Sequence, residues 1–281
     1  GGMATVLAAR MRPRTILLGT MLPSSFAVLA TTVVPWLLTG GTLLLHQPFD
    51  AATCAAQIEQ GGCDFAVLPG PCVPLLADAG LIDGERPAVL AVWRSPERQA
   101  ASAIWTGAAP LIDVLVFGED AIVPLRRAAD GRPAVIYAGP LLASDGTTET
   151  MVLELARNAR GTLELGGPML PRHNRIDQSS LPRSSDTGYP CRIDALTGTI
   201  IITGTPPGLV HVGGYRFAMR ELEDLVGRAD GDAVLAALPD LLAGVRLAAT
   251  AADTAAIRRA LADLGANPLI GAAFRGRPPA A

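Results

Sequence analysis

The sequence predicts an α/β protein: a mostly parallel sheet with helices on both faces, then a small β-barrel-like unit and a small C-terminal α+β domain. From Arg14 to about Pro140, short continuous apolar runs alternate with helical patterns. This alternation is typical of parallel strands that are covered on both faces. The apolar runs that follow enclose a polar loop, residues 172–188, which favours antiparallel strands. We therefore expect domains over residues 3–140, 141–204 and 205–281.

Six continuous apolar runs predict the strands of the first region, at residues 15–19, 42–46, 64–68, 88–93, 112–117 and 133–137. A helix is predicted after Asp50, because its carboxylate suits the N-cap position, and the helix ends at Gly61-Gly62. Pro124 fits the first turn of a second helix that closes before Gly131. The first region therefore alternates strand and helix.

The second and third regions are predicted from shorter patterns. The pieces MVLELA, GTLELGG and GTIIITG predict the strands of the β-rich unit. A hairpin-like stretch, GLVHVGGYRF, then leads into a helix with Ala218, Leu222, Leu225 and Val226 on one face. After a strand-like VRLAATAA, the last helix begins at Asp253 and ends at Gly265. Its inward residues are Ile257, Leu261 and Leu264.

Composition excludes two classes of protein. The 281 residues are 49% hydrophobic and 17% charged, which excludes a disordered chain. The net charge of −3 gives no electrostatic basis for binding nucleic acid. All 23 basic residues are arginine, a bias that a GC-rich coding sequence would also produce. Whatever its cause, no side chain of this protein can supply an ammonium group.

The cysteines and histidines do not form a metal-binding pattern. The first three cysteines are nine residues apart, which fits no zinc motif. We predict reduced, mostly buried thiols in a cytoplasmic protein. The histidines stand alone along the sequence and are not predicted metal ligands. These residues are Cys54, Cys63, Cys72, Cys191, His46, His173 and His211.

Residues 21–45 carry no charge and are long enough to span a bilayer. Pro35 and Gly40-Gly41 interrupt the stretch, and the TLLLHQPF that follows suggests a strand leaving a core. We therefore expect no membrane segment here, although a membrane protein is the alternative.

Three segments carry a resemblance to a known family. They read GTLELGGPMLP at residues 161–171, DTGYPCRID at 186–194 and TGTPPGLVHVGGYRFAMRELEDLV at 203–226. Their order and spacing resemble the AMP-forming adenylate-forming enzymes, which include acyl-CoA and aryl-CoA synthetases and the adenylation domains of peptide synthetases. The resemblance implies ATP or AMP, Mg²⁺ and CoA as cofactors, and a carboxylic acid or acyl group as partner. In family order, the phosphate-binding loop lies upstream of this chain.

Several motif positions of the large domain differ from the family. The turn Leu22–Phe26 lacks the family's histidine. Gly118, in VLVFGED, matches a glycine-rich loop beside the adenine and acyl pocket. In VIYAG, Tyr137 and Gly139 match a strand that ends in Tyr-Gly-x-Thr-Glu, whose tyrosine stacks on adenine, but Pro140-Leu141 follow. Thr148 and Glu149 are either the displaced catalytic and magnesium-binding pair or ordinary loop residues.

The C-terminal motifs keep glycines and lose charged ligands. Tyr189 stands where the family has the aspartate that accepts hydrogen bonds from the ribose, and Thr205 replaces the ribose arginine. The resemblance places a hinge at residues 204–208. Gly213, Gly214 and Tyr215 match the hairpin that lines the pantetheine tunnel, although a tight turn before a helix would also explain them. The family's final lysine has no counterpart.

Two functions remain open from the sequence. The first is the C-terminal portion of an acyl-CoA synthetase-like AMP-forming ligase that is incomplete or inactive as this chain. The alternative is a non-catalytic acyl- or CoA-binding protein, or a scaffold, on the same fold. The sequence identifies neither the carboxylate substrate nor the oligomeric state.

Overall fold

A computed structural model describes residues 1–82, 84–144, 149–170, 184–250 and 254–274. The chain divides into two compact units, the first from Gly1 to Gly204 and the second from Thr205 onward. The finer division into three domains and the hinge at residues 204–208 stay predictions. No helix in the described ranges is long and apolar enough to cross a membrane.

The first unit contains a six-stranded, mostly parallel sheet in the order β2-β1-β3-β4-β5-β6. Its strands are β1 (Ile16–Gly19), β2 (Thr42–Leu45), β3 (Phe65–Pro69), β4 (Ala88–Trp93), β5 (Leu111–Phe117) and β6 (Ala121–Arg126). Every residue of β4 and β5 is buried, as their continuous apolar runs predict. β2 is an edge strand with exposed ends.

Helical segments precede and connect these strands. They are α1 (Gly2–Ala9), α2 (Phe26–Val28), a π-helical turn (Leu29–Val33), α3 (Val34–Thr39), α4 (Ala51–Gly61) and α5 (Val73–Asp78), with 3₁₀ turns at Gly70–Cys72 and Pro96–Ala101. The predicted cap of α4 is confirmed, because Asp50 Oδ1 accepts a hydrogen bond from the Thr53 backbone N–H at 2.8 Å. Its predicted end is confirmed as well, with Gly62 as the C-cap residue.

The predicted helix at Pro124 is wrong. Residues Ala121–Arg126 form β6, which pairs antiparallel with β5. β6 lies at the edge of the sheet, where a proline without an N–H is tolerated. A run of buried apolar residues before Pro124 pairs with β5, and this pairing outweighs the local helix signal.

A second, antiparallel sheet of six strands completes the first unit, in the order β7-β12-β11-β10-β9-β8. The strands are β7 (Ile136–Tyr137), β8 (Gly139–Ser144), β9 (Glu149–Arg157), β10 (Thr162–Gly166), β11 (Ser184–Ile193) and β12 (Thr199–Ile202). Because the two edge strands β7 and β8 are neighbours in the chain, the sheet curls into a half-barrel. The predicted barrel-like unit thus corresponds to an open, curled sheet.

Two strand predictions need correction in this sheet. Of the predicted strand 133–137, only β7 is extended, and it pairs with β12 rather than with the parallel sheet. The predicted loop 172–188 is also too long, because β11 begins at Ser184. Its remaining residues, 172–183, lie outside the described ranges.

The second unit has a four-stranded antiparallel sheet in the order β14-β13-β16-β15. Its elements are β13 (Leu209–Val212), β14 (Tyr215–Ala218), α6 (Met219–Ala229), β15 (Leu235–Asp240), β16 (Gly244–Ala249), α7 (Thr254–Asp263) and α8 (Pro268–Ala273). The predicted hairpin is confirmed. Leu222 and Val226 of α6 pack with Ile257 and Leu261 of α7 in the core of this unit. Asp253, the predicted start of α7, lies outside the described residues.

Candidate functional site

At the carboxyl edge of the parallel sheet, polar side chains form hydrogen bonds with other groups of the same chain. Ser25, in the turn where the resemblance expects histidine, accepts a hydrogen bond from the Arg94 guanidinium through its Oγ at 2.7 Å. Glu119 follows β5, and its carboxylate accepts a hydrogen bond from the backbone N–H of Phe26 at 2.8 Å. Ligands of open α/β sheets bind outside the carboxyl ends of the strands, so these residues border the expected site.

The turn between β5 and β6 positions Gly118 beside the half-barrel. Gly118 has φ +63°, the left-handed region that glycine adopts without steric cost. Two residues on, Asp120 Oδ2 lies 3.4 Å from the Ser185 hydroxyl of β11. The predicted adenine-side loop is therefore a tight turn that contacts the strand carrying Tyr189.

Tyr189 lies in the core of the first unit. Its side chain is 0% exposed, and its ring packs edge to face on Phe117 with ring centroids 5.6 Å apart. Phe117 is the last residue of β5 and is 1% exposed. The residue that the resemblance matches to the ribose aspartate is therefore a buried aromatic side chain that packs against the residue before Gly118, and its relation to a nucleotide stays a prediction.

Phe117 is a buried contact of the predicted site residue Tyr189 that the sequence argument missed. It ends a central strand of the parallel sheet and is followed by Gly118. The sequence argument considered only Tyr137 and Gly139 as the aromatic-glycine pair. The signal that could have identified Phe117 is the fully apolar run before it, which marks β5 as a buried central strand.

Tyr137 and Gly139 lie at the edges of the half-barrel. Tyr137 is 58% exposed and pairs with Thr199 of β12, and Gly139 begins β8. Glu149 is exposed at the start of β9, and Thr148 lies outside the described residues. Their predicted roles toward nucleotide and magnesium stay predictions. In the described part of the chain, no group of three His, Cys, Asp or Glu side chains is arranged to hold a metal ion.

Asp186, three residues before Tyr189, is a strongly hydrogen-bonded carboxylate. It accepts hydrogen bonds from the Thr162 hydroxyl at 2.7 Å and the Gly188 backbone N–H at 2.9 Å, and it pairs with Arg160 at 2.5 Å. Burial opposes the charged form, but these bonds and the cation outweigh it and lower the pKa of Asp186. Asp186, within β11, is therefore engaged with its own strand and with the start of β10.

The pantetheine candidates form one hairpin turn in the second unit. Gly213 and Gly214 have φ +58° and +81° and connect β13 to β14, where Val212 pairs with Tyr215. Positive φ at both central residues is the signature of a two-residue type I′ turn. The turn accounts for both glycines, and their role toward CoA stays a prediction.

A buried ion pair supports the sheet beside this site. Asp113 of β5 accepts hydrogen bonds from Arg127 at 2.8 and 3.0 Å, Trp93 Nε1 at 2.8 Å, Gln99 Nε2 at 2.8 Å and the Ala134 backbone N–H at 3.1 Å. Arg127 also donates to the carbonyl oxygens of Ala103 and Gly131 and to the Ser102 hydroxyl. The cluster joins β4, β5, the segment after β6 and the 3₁₀ turn after β4.

The fold defined by these two units is that of the adenylate-forming enzymes. Over 95% of its length, the chain resembles an artificially fused adenylation-PCP di-domain peptide synthetase, NpsA-ThdA, from Klebsiella oxytoca (TM-score 0.66, 16% identity). It is also similar over 95% of its length to the amide bond synthetase McbA from Marinactinospora thermotolerans (TM-score 0.62, 18% identity). A malonyl-CoA ligase with methylmalonyl-CoA and AMP bound matches over 97% of this chain (TM-score 0.62, 21% identity).

The chain spans only part of these structures: 58% of the first two and 64% of the third. No protein-family model matches the chain, and no curated protein sequence matches it. The likeness therefore establishes the fold.

Proposed function

We propose that this chain is the C-terminal portion of an acyl-CoA synthetase-like, AMP-forming protein, that it is incomplete or inactive as this chain, and that it binds ATP poorly. The proposal combines the fold with the motif resemblance at residues 161–226, and it places the protein in the cytoplasm. A carboxylic acid or acyl group is the partner it implies. The single observation that most supports weak ATP binding is the burial of Tyr189.

Tyr189 is unsuited to bind a ribose for two reasons. A carboxylate accepts hydrogen bonds through two oxygens, whereas a phenol has a single oxygen. The ring is also fully buried against Phe117, so it would have to leave the core to expose that oxygen. Removing an apolar side chain of this size from the core costs about 1.5–3 kcal/mol. We infer that the nucleotide position is occupied by the protein itself.

The absence of lysine supports the same proposal. In the family, a C-terminal lysine contacts the acyl and phosphate oxygens during adenylation, and none of the 281 residues of this sequence is a lysine. Catalysis of phosphoryl chemistry depends on positioning and on neutralising phosphate charge. Each lost charged hydrogen bond is worth roughly 1.5–3 kcal/mol, so losing several of them lowers ATP affinity by orders of magnitude.

A second candidate function is a non-catalytic acyl- or CoA-binding protein, or a scaffold, on the same fold. The hairpin of β13 and β14 favours it. Gly213 and Gly214 keep the family's sequence at the pantetheine position, while the nucleotide ligands at Tyr189 and Thr205 are replaced. Such a chain would bind CoA without needing ATP.

Calorimetry and isotope exchange test the proposal. We expect no binding heat when Mg·ATP is titrated into the chain. We also expect ATP–pyrophosphate exchange by the full-length gene product over a panel of carboxylic acids, and exchange no faster than a buffer blank across the whole panel would count against an AMP-forming parent protein. Micromolar ATP binding by the chain would contradict the proposal. Binding of CoA without ATP would support the second candidate.

A further inference from the structure

The first unit contains a cavity of about 300 Å³ between the parallel sheet and the half-barrel. One wall is the 3₁₀ turn Pro96–Ala101 that follows β4, and the opposite walls are residues 132–136 and β12. Leu115 of β5 also lines it. The lining is mostly apolar, and its charged members are Glu97 and Arg132.

The buried Asp113 cluster fixes two walls of the cavity relative to each other. Gln99, on the first wall, donates its amide hydrogens to Asp113 Oδ2 at 2.8 Å and to the Ala134 carbonyl oxygen at 3.1 Å. Ala134, on the second wall, donates its backbone N–H to the same Oδ2 at 3.1 Å. Asp113 is 0% exposed, and hydrogen bonds to a buried carboxylate are among the stronger ones. The cavity is therefore preformed, which lowers the ordering cost of binding.

Size and charge restrict what the cavity can hold. Small-molecule pockets begin at about 300 Å³, and an apolar cavity of about 150 Å³ accommodates benzene. The space therefore suits two fused rings. Glu97 and Arg132 carry opposite charges, and the Arg132 side chain is 76% exposed, 3.7 Å from Asp130. The cavity thus offers no excess of positive charge to attract an anion.

We propose that this cavity binds an uncharged, compact aromatic molecule of about two fused rings, by burial of its hydrocarbon surface. This inference does not depend on the proposed function, because it involves no nucleotide, acyl or CoA group. Tyr189 is buried in the core, whereas this cavity is open to a ligand without a sugar or phosphate.

The test uses the whole chain with naphthalene and indole as probes, followed by titration calorimetry and ligand-observed NMR. Ala100→Phe and Ala134→Leu each add bulk to a residue that lines the cavity. We expect either change to weaken binding of both probes by about tenfold or more, the loss of roughly 1.4 kcal/mol. Ala52→Phe, on the exposed surface of α4, is the matched control and should leave binding unchanged.

Circular dichroism establishes whether each variant is folded. Because there are two independent cavity variants, the test remains decisive if one of them misfolds. The inference is overturned if neither probe binds up to its solubility limit, or if both cavity variants bind like the Ala52→Phe control. Adenosine binding more tightly than naphthalene would also overturn it, because the cavity would then take a nucleoside. Weaker binding of 2-naphthoate than of naphthalene would support an uncharged ligand.

Discussion

The Arg127 guanidinium lies 2.8 Å from one carboxylate oxygen of Asp113 and 3.0 Å from the other, and their side chains are only 4% and 0% exposed. Every charged atom of the pair has a hydrogen-bonding partner, because Trp93, Gln99 and Ala134 complete the shell of Asp113. An intact buried pair of this kind changes the stability of the fold little. Removal of one partner is strongly destabilising, because it leaves an uncompensated buried charge.

Arg127→Met should therefore destabilise the first unit by about 3–5 kcal/mol, because it leaves the Asp113 carboxylate charged, buried and short of two bonds. Urea unfolding measures the change. Arg86→Met is the matched control: Arg86 pairs with Asp64 at 3.3 Å but is 76% exposed, so a change of less than about 1 kcal/mol is expected. Equal effects of the two substitutions would contradict a structural role for the buried pair.

Tyr189→Ala should destabilise the first unit by about 3–5 kcal/mol, the range for removing a large buried aromatic side chain. The reason is that the phenol ring fills core space against Phe117. Tyr137→Ala is the control, since Tyr137 is 58% exposed, and its effect should stay within about 0.5 kcal/mol. A small effect at Tyr189 in urea unfolding would show that its ring is dispensable and would weaken the proposed function.

The central strands could be predicted from the sequence because burial on both faces dictates their composition. β4 was predicted at residues 88–93 and observed at Ala88–Trp93, and β5 was predicted one residue short of Leu111–Phe117. β6 and β7 could not be predicted this way. Pro124 carries a local helix signal, and Ile136 joins Ile200 through a pairing across more than 60 residues, so distant partners decide both strands.

The candidate site was only partly predictable for a related reason. The replacement of a carboxylate by Tyr189 is visible in the sequence, but its burial against Phe117 depends on how two sheets pack. Phe117 was missed because Tyr137 offers a tyrosine in a similar local pattern. The fully apolar run before Phe117 marks a buried strand, and the sheet order shows that this strand, β5, lies between β4 and β6.

Asp186 should make stability depend on pH in the acid range. Its pKa is lowered in the folded protein, so its hydrogen bonds stabilise the fold above the ordinary value of 3.8. That stabilisation is lost as the pH falls through the lowered pKa. The difference in unfolding free energy between wild type and Asp186→Asn should be largest near neutral pH and shrink below about pH 4. A difference that is constant from pH 7 to pH 3 would contradict this assignment.

Cys54 should be almost unreactive in the native protein. Burial, with smaller contributions from Cys63 and Asp50, raises the pKa of its thiol to about 11. At pH 8 roughly 0.1% of such a thiol is ionised, against about a quarter of an ordinary cysteine. A variant that keeps only Cys54, with the other three cysteines changed to alanine, should react with a disulfide reagent at least about 100-fold more slowly when folded than in urea. Similar rates in the two states would refute the burial of this thiol.

β2 has a practical consequence for anyone who produces this protein. It pairs with β1 on one side, and among the described strands none pairs with the other; Leu45 at its end is 55% exposed. An unpaired row of backbone amides and carbonyls beside an exposed leucine is a template for adding another chain, strand to strand. This edge is therefore the surface where concentrated samples would begin to polymerise. A charged residue placed there, as in Leu45→Lys, is the first remedy for a preparation that precipitates.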